Sequence, residues 1–542
     1  MKADRMNRLL TAFANGWLMV LIHLDAFRFA PLHYLKAAWW GLLGKRVRSR
    51  GQFAPLLGQS RRAYLLWGMR DERGRAHSTP GELPPIIALV DLTREDGATP
   101  ERLEATRSSL AAEGVAAFEI GAGAAADLAA AAKAIDWAQR PWLLPVAPGD
   151  RLAPGAASLY REAIAGSSAQ VVYADDDLLD RWGRFTVPHF KPDWNSELFE
   201  HFDYLAGACI VRGDAAALAQ AGQEADWGGA LVRAAAAGQR VAHIPKVLHH
   251  RQSRPVAPQK PVPLQVCSNL PAVSVIVPTR NRVDLLRTCL DGVFASQYPD
   301  VEVIVVDNDS DDPETLAYLQ ELDPARAKVL RHSGPFNFSA INNAAAREAR
   351  GELLCLLNND IEVLAPDWLA ILATQALRPD VGAVGAQLLY PDGRIQHAGV
   401  VIGVGNAAGH AHRFVEPDDE GYFRRHALPQ FAAAVTAACL VVGRDKFMAV
   451  GGLDEKNFAV AYNDVDLCLR LNERGWQSLY EPRAVLVHHE SVSRGFDRDP
   501  VGAARFAGEL AALQRIWKTD QIVDRFHHPH LSRAAEQFSL AL

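Results

Sequence analysis

Three observations predict an α/β fold, a mainly parallel sheet with covering helices, in each of two successive domains. Short β-branched runs alternate with Ala/Leu-rich helical segments through both halves of the 542-residue chain. Pro- and polar-rich breaks at Ser78–Pro85 and Arg251–Pro271 interrupt that alternation. A spaced set of residues also recurs: Arg470, Gly475, Pro482 and His488-His489 late in the chain, and Arg233, Gly238, Pro245 and His249-His250 in the middle. Arg to Gly is five positions and Arg to Pro twelve in both, as in a duplicated scaffold. The expected organisation is a basic helical segment (1–80), a middle domain (84–252), a linker (253–270), a C-terminal domain (271–500) and a helical tail (501–542).

The C-terminal domain reads element by element. Val273–Val277 is a buried strand, Pro278–Arg282 the loop after it and Asp284–Ser296 a helix. Val301–Val306 is a second strand, ending in Asp307-Asn308-Asp309. A helix over 340–350 leads to a third strand, Leu353–Leu357, which runs into Asn358-Asn359-Asp360. Ligands of open α/β sheets collect at the carboxyl ends of strands, and each of these strands ends in a polar cluster. Asp464 precedes Leu467–Arg474, which reads as an amphipathic helix, and His488 ends the strand Ala484–Val487.

Charge is uneven. Residues 1–70 carry twelve Lys/Arg and two acids, a net +10, which leaves −16 on the remainder. A basic head on an acidic body argues against a nucleic-acid partner and suits an anionic membrane surface. Leu9–Leu24 is too short and too polar to span, and no small-residue cleavage site marks a signal peptide. Phe27–Leu43, rich in aromatics and followed by Lys45–Arg50, suits a helix lying in the headgroup layer. It suits equally an amphipathic helix packed on the body or on a partner. The expected location is cytoplasmic, peripheral on the inner face of the cell membrane. Six scattered cysteines without a C-x-x-C pair read as reduced, mostly buried thiols.

Several residue types have chemistry to offer. A carboxylate at a strand end, such as Asp360, can hold a divalent ion that grips a diphosphate, or it can merely cap a turn. Asp307, Asn308 and Asp309 can accept hydrogen bonds from a nucleobase or ribose, or form a turn. Asp464 suits a general base at a helix start, with Asp466 as the N-cap. The His488 imidazole can complete a metal shell. His397 with His410-Ala411-His412, and His527-His528-Pro529-His530, lack the companions of a zinc site. Gly403–Gly409 has its third glycine one place late for a dinucleotide loop.

Taken in order, Val273–Arg282, Val303–Asp311, Asn342-Asn343, Leu354–Asp360, Val381–Gly399, Val435–Gly452 and Tyr462–Gly495 resemble family 2 glycosyltransferases, most closely the bacterial O-antigen and rhamnosyltransferase-like branch. The resemblance implies a GT-A fold (a Rossmann-like nucleotide-diphospho-sugar transferase domain) and inversion at the anomeric carbon. It implies that Pro278, Thr279, Arg280 and Asp307, with Asp309, Asn343 and Asn359, surround the nucleotide. Asp360 and His488 would hold Mg²⁺ or Mn²⁺, and Asp464 would be the base. The donor would be a nucleoside-diphosphate sugar and the acceptor a glycan or lipid-linked glycan, in surface polysaccharide synthesis. Asn358 and Asn463 replace acidic residues of the family's motifs. The middle domain, through Val171–Trp194, resembles a degraded copy: Trp227 and Gly229 stand where Asp464 and Asp466 do. From Ile86 to Asp150 is 64 positions, against 86 from Ser274 to Asp360. A non-catalytic scaffold or glycan-binding protein is the alternative.

Overall fold

The computed structural model describes residues 2–71, 84–93, 99–165, 167–238, 240–489 and 500–542, with side chains from residue 13 onward. Most of the break expected at Ser78–Pro85, and the Tyr462–Gly495 motif beyond His489, lie outside them. The chain forms two compact units. Unit 1 comprises residues 1–256 with 527–532 and 539–542; unit 2 comprises 257–526 with 533–538.

Unit 1 begins with helices Lys2–Phe29, Pro31–Leu42, Arg46–Gly58 and Arg61–Asp71. Among the described residues, no helix is long and apolar enough to cross a membrane. These helices leave large apolar side chains outside: Phe13, Trp17, Phe29, Leu32, Trp39 and Leu42 are all more than half exposed. The sheet that follows contains β1 (Ile86–Asp91), β2 (Ala116–Ile120), β3 (Trp142–Val146), β4 (Arg151–Leu152), β5 (Val171–Leu179), β6 (Phe185–His189), β7 (Cys209–Arg212) and β8 (Val241–Arg251). Its order is β2-β1-β3-β7-β5-β8-β4, with β6 beside β5.

Unit 2 contains β9 (Val273–Thr279), β10 (Val301–Asp307), β11 (Ala327–Arg331), β12 (Leu353–Leu357), β13 (Ile361–Val363), β14 (Val381–Leu389), β15 (Ile395–His397), β16 (Val400–Ile402), β17 (Ala408–His410), β18 (Gln430–Ala432), β19 (Cys439–Gly443) and β20 (Gln477–His488). The large sheet runs β11-β10-β9-β12-β19-β14-β20-β13, and β16 and β17 pair apart from it. Helices Val283–Phe294 and Trp368–Ala376 cover one face, and Phe338–Glu348 and Asn463–Glu473 the other. Burial on both faces explains why β9, β10 and β12 read as nearly unbroken apolar runs.

The sheet is less parallel than its sequence predicts. β9 to β12 pair in parallel, but β19 enters antiparallel between β12 and β14. A fully buried strand such as Cys439–Gly443 is apolar on both sides whatever its direction, so its sequence does not encode orientation.

The duplication inferred from spacing is a duplication of topology. β2, β1, β3, β7, β5, β8 and β4 occupy the places of β10, β9, β12, β19, β14, β20 and β13. Each corresponding pair keeps its direction, such as parallel β5–β8 and β14–β20 and antiparallel β4–β8 and β13–β20. Among the described residues, unit 1 has no counterpart of β11, which accounts for the shorter stretch before Asp150.

Candidate active site

At the carboxyl end of β9, Asn281 and Arg282 both have positive φ, 56° and 59°, so the chain turns sharply into helix Val283–Phe294. The Asn281 side chain fixes this turn to the next loop. Its Oδ1 accepts the Asp311 and Asp312 N–H groups at 3.0 Å, and the Asn281 main-chain N–H donates to Ser310 Oγ at 2.9 Å. Asp307 Oδ1 accepts Ser310 N–H at 3.0 Å. Asp309 accepts Ser333 Oγ–H and Gly334 N–H at 2.9 and 2.8 Å, which hold its carboxyl below the usual range, with Arg331 and Arg280 adding to them. Both expected nucleotide contacts therefore hold the loop.

Between the β9 loop and the end of β12 lies a cleft of ≈ 480 Å³. Of the predicted residues, Pro278, Thr279, Arg280, Asn359 and Asp360 line it. Phe336, Phe338 and Arg505 also line it. Asn359 donates to Thr279 Oγ1 at 3.0 Å, fixing one wall. Asp307, Asp309 and Asn343 are not lining residues. The Asn343 amide is committed to the 453–455 segment: Nδ2 donates to Leu453 O at 2.8 Å and Oδ1 accepts Leu453 N–H at 2.9 Å. A Cβ on Gly452, which has φ +71°, would lie 2.4 Å from that Oδ1. Asn343 thus sets backbone position.

Asp360 is 4% exposed, and His488 sits opposite Ile361 in the β13–β20 ladder. Asp360 Oδ1 and His488 Nε2 are 3.1 Å apart. His488 Nδ1 lies 2.7 Å from Gln396 Oε1, an acceptor, so Nδ1 carries the ring proton. Nε2 then presents a lone pair, which accepts from Asn358 Nδ2 at 3.3 Å and faces the carboxylate. Two lone-pair atoms at this distance call for a cation: a second proton on the ring, or a metal ion oriented by Gln396 through the imidazole.

Asp464 reaches the same edge of the sheet from the other side of β12. Leu357 lies opposite Cys439, and Asn358 N–H donates to Ala438 O at 3.0 Å. One residue earlier, Ala437 N–H donates to Asp464 Oδ2 at 3.1 Å. Val465 N–H donates to Oδ1 at 2.8 Å. Burial pushes the Asp464 carboxyl above the usual range, and these bonds, with one from Thr436, only partly offset it. Asp464 and His488 are not lining residues of the cleft. Asp360 and His488 form a pair, and Asp464 is held one residue before the Ala438 that meets Asn358.

Asp466 is not the N-cap. Tyr462, at φ 61°, precedes helix Asn463–Glu473, so Asp466 falls inside the first turn. It pairs there with Arg470 at 2.7 Å and accepts Trp517 Nε1–H at 2.9 Å. In unit 1, Trp227 is 1% exposed and its indole donates to Asp91 at 3.3 Å. Gly229 leaves room for Asp226, whose carboxylate a Cβ would meet at 2.1 Å.

The histidine clusters divide. His397 and His410 bond through Nδ1 at 2.8 Å, and burial holds both well below the usual imidazole range. Among the described residues, the group spaced to hold a metal is Asp175, His243 and His528, in unit 1. There His530 N–H donates to His528 Nδ1 at 3.1 Å, which leaves the ring proton on the Nε2 that faces Asp175 at 2.9 Å. His243 bridges Asp175 and Asp193 at 3.1 and 3.0 Å.

Residues 274–431 match the glycosyl transferase family 2 model. Over these residues the chain therefore carries a domain of the glycosyl transferase family 2. It is 38% identical to the uncharacterized protein y4gI of Sinorhizobium fredii, over 72% of this chain and 48% of that protein. It is 36% identical to the O-antigen biosynthesis protein RfbC of Myxococcus xanthus, over 72% of this chain and 34% of that one. The chain thus spans about half or less of these two relatives. An N-acetylglucosaminyl-diphospho-decaprenol L-rhamnosyltransferase of Mycobacterium tuberculosis is 28% identical, over 38% of this chain and 71% of its own. A solved mannosyltransferase of Pyrobaculum calidifontis, in complex with GDP-Man and Mn²⁺, is 21% identical over 49% of this chain and 71% of its own, with a TM-score of 0.36.

Proposed function

We propose that unit 2 is an inverting glycosyltransferase that moves a sugar from a nucleoside-diphosphate donor to a hydroxyl of a glycan or lipid-linked glycan, in surface polysaccharide synthesis. The observation that carries this reading is the Asp360–His488 pair, with Asp360 lining a cleft of nucleotide-sugar size and Asp464 held by Ala437 next to the end of β12. The Asp464 carboxylate takes the proton of the acceptor hydroxyl. The acceptor oxygen bonds to the anomeric carbon from the face opposite the diphosphate. The carbon–oxygen bond to the diphosphate breaks, and its electron pair leaves with the phosphate oxygen.

The Asp360 carboxylate fits Mg²⁺ or Mn²⁺, and the His488 imidazole fits the softer Mn²⁺ of the two; these are the residues that would hold the ion. When bound, such an ion offsets the charge that grows on the departing diphosphate. Pro278–Arg280 and Asn359 would face the nucleotide. Asp307 and Asp309 support this reading by fixing the loop beside them.

The exposed aromatic and aliphatic face of the first helices, in a segment of net charge +10, supports seating on an anionic membrane from the cytoplasmic side. Flotation with phosphatidylglycerol vesicles should carry the chain upward and phosphatidylcholine vesicles should not; equal behaviour with both contradicts this attachment.

The test of the transferase reading is a panel of UDP-, GDP- and dTDP-sugars, each incubated with the chain and a lipid-linked glycan acceptor, with and without Mn²⁺. Acceptor-dependent release of one nucleoside diphosphate is the expected result. Release from no donor supports a non-catalytic scaffold instead.

A further inference from the structure

Arg505 lines the cleft although it lies 74 positions beyond the last residue matched to the family model. It belongs to helix Pro500–Trp517, 18 residues long, whose Leu513 and Ala512 are buried in the unit 2 core. Three further contacts tie this helix to the segment that bears Asp464. Trp517 donates to Asp466, Phe506 lies against Tyr462 at 5.7 Å between ring centroids, and Glu509 accepts the Val460 and Ala461 N–H groups at 2.8 and 3.1 Å. Glu509 is 4% exposed, and its Oε2 lies 3.7 Å from Arg505 Nε, one helical turn away. The helix therefore fixes where this guanidinium sits.

We propose that helix Pro500–Trp517 completes the donor site, with the Arg505 guanidinium binding the sugar-bearing phosphate of the nucleoside diphosphate. This rests on the nucleotide-sugar reading given above. The cleft also holds Arg280 and Arg282; Arg282 pairs with Asp284 at 2.6 Å, closer than the 3.7 Å between Arg505 and Glu509. Arg505 is 31% exposed at its side chain, shielded enough for its charge to act strongly and open enough to meet a ligand. The diphosphate gains a negative charge as the sugar leaves, and a planar guanidinium fixed beside it stabilises that charge by paired hydrogen bonds. Through Glu509, the same helix also holds the backbone that leads into Asp464. Donor contact and base position thus share one support.

Calorimetric titration of UDP, GDP and dTDP, and of the matching monophosphates, into the full chain and into Arg505→Gln in Mn²⁺ tests the assignment. The diphosphate that binds the wild type should bind Arg505→Gln at least tenfold more weakly, while its monophosphate changes less than twofold. Arg505→Lys should fall between, and the melting temperature should not move. Equal diphosphate affinity in Arg505→Gln overturns the assignment and leaves the transferase reading standing. Equal loss of both nucleotides with a lowered melting temperature also overturns it, because Arg505 is then structural. A wild-type chain that binds no diphosphate removes both the reading and the assignment.

Discussion

Asp464 receives hydrogen bonds from two main-chain N–H groups, yet its carboxyl is held above the usual range because burial outweighs them. For an acid, a raised pKa keeps the proton on to higher pH, so the basic form is present only above the shifted value. The acid limb of transfer rate against pH should therefore lie above the ordinary carboxylate value of about 3.9, and rate should fall as pH drops through it. A profile of kcat from pH 4 to 9 checks this; a limb at or below the ordinary value contradicts it. Asp360, Asp464 and His488 were legible because each ends or begins an element at a readable break in the apolar pattern. Gln396, Thr436, Asn281 and Arg505 were not. Their parts arise from packing between segments up to 227 positions apart, which no local spacing encodes, and Gln396 sets the His488 tautomer from 92 positions away.

Elements were readable where burial is two-sided or periodic. Val273–Thr279, Val301–Asp307 and Leu353–Leu357 fall within two residues of their expected ends, and helix Phe338–Glu348 begins two residues early. The start of helix Asn463–Glu473 was misplaced because Asp466, a residue type common at N-caps, is spent on Arg470 and Trp517 instead. The tail, expected to be helical over 501–542, is helical only as Pro500–Trp517, and the role of that helix as a brace depends on side chains that meet only after folding. Trp517→Phe removes the indole N–H donor to the buried Asp466 and leaves the Arg470 pair in place. It should cost about 2 kcal/mol, the range for a hydrogen bond to a charged group. Urea denaturation checks this, and an unchanged midpoint means that the bond contributes nothing.

Over the whole chain, the two units share one topology and differ in what fills the equivalent place. In unit 1, Asp150 stands where Asp360 does, and Arg251 Nε lies 3.5 Å from it. Lys191, fully buried, and Arg254 both pair with the neighbouring Asp176 at 2.9 Å. The chain's own cations thus occupy a site that in unit 2 faces a cleft. Burial raises Asp150 to about 6, chiefly against the pull of Arg251. The duplication was visible in the Arg–Gly–Pro spacing, whereas this internal neutralisation was not. Its cations come from β8, from the chain just beyond it and from the segment after β6. If unit 2 alone carries the chemistry, Asp150→Asn should keep turnover within about twofold, and Asp360→Asn should lower it by about 100-fold or more. Parallel kcat measurements decide; equal losses contradict a division of labour between the units.

The most direct test is Asp464→Asn, measured for donor binding by calorimetry and for transfer in single turnover. Donor affinity should stay within about twofold of wild type while transfer falls by about 10²–10⁴-fold, the range expected when a positioned base is removed. Transfer at the wild-type rate, with donor bound normally, would show that the proton leaves by another route and that Asp464 is not the base.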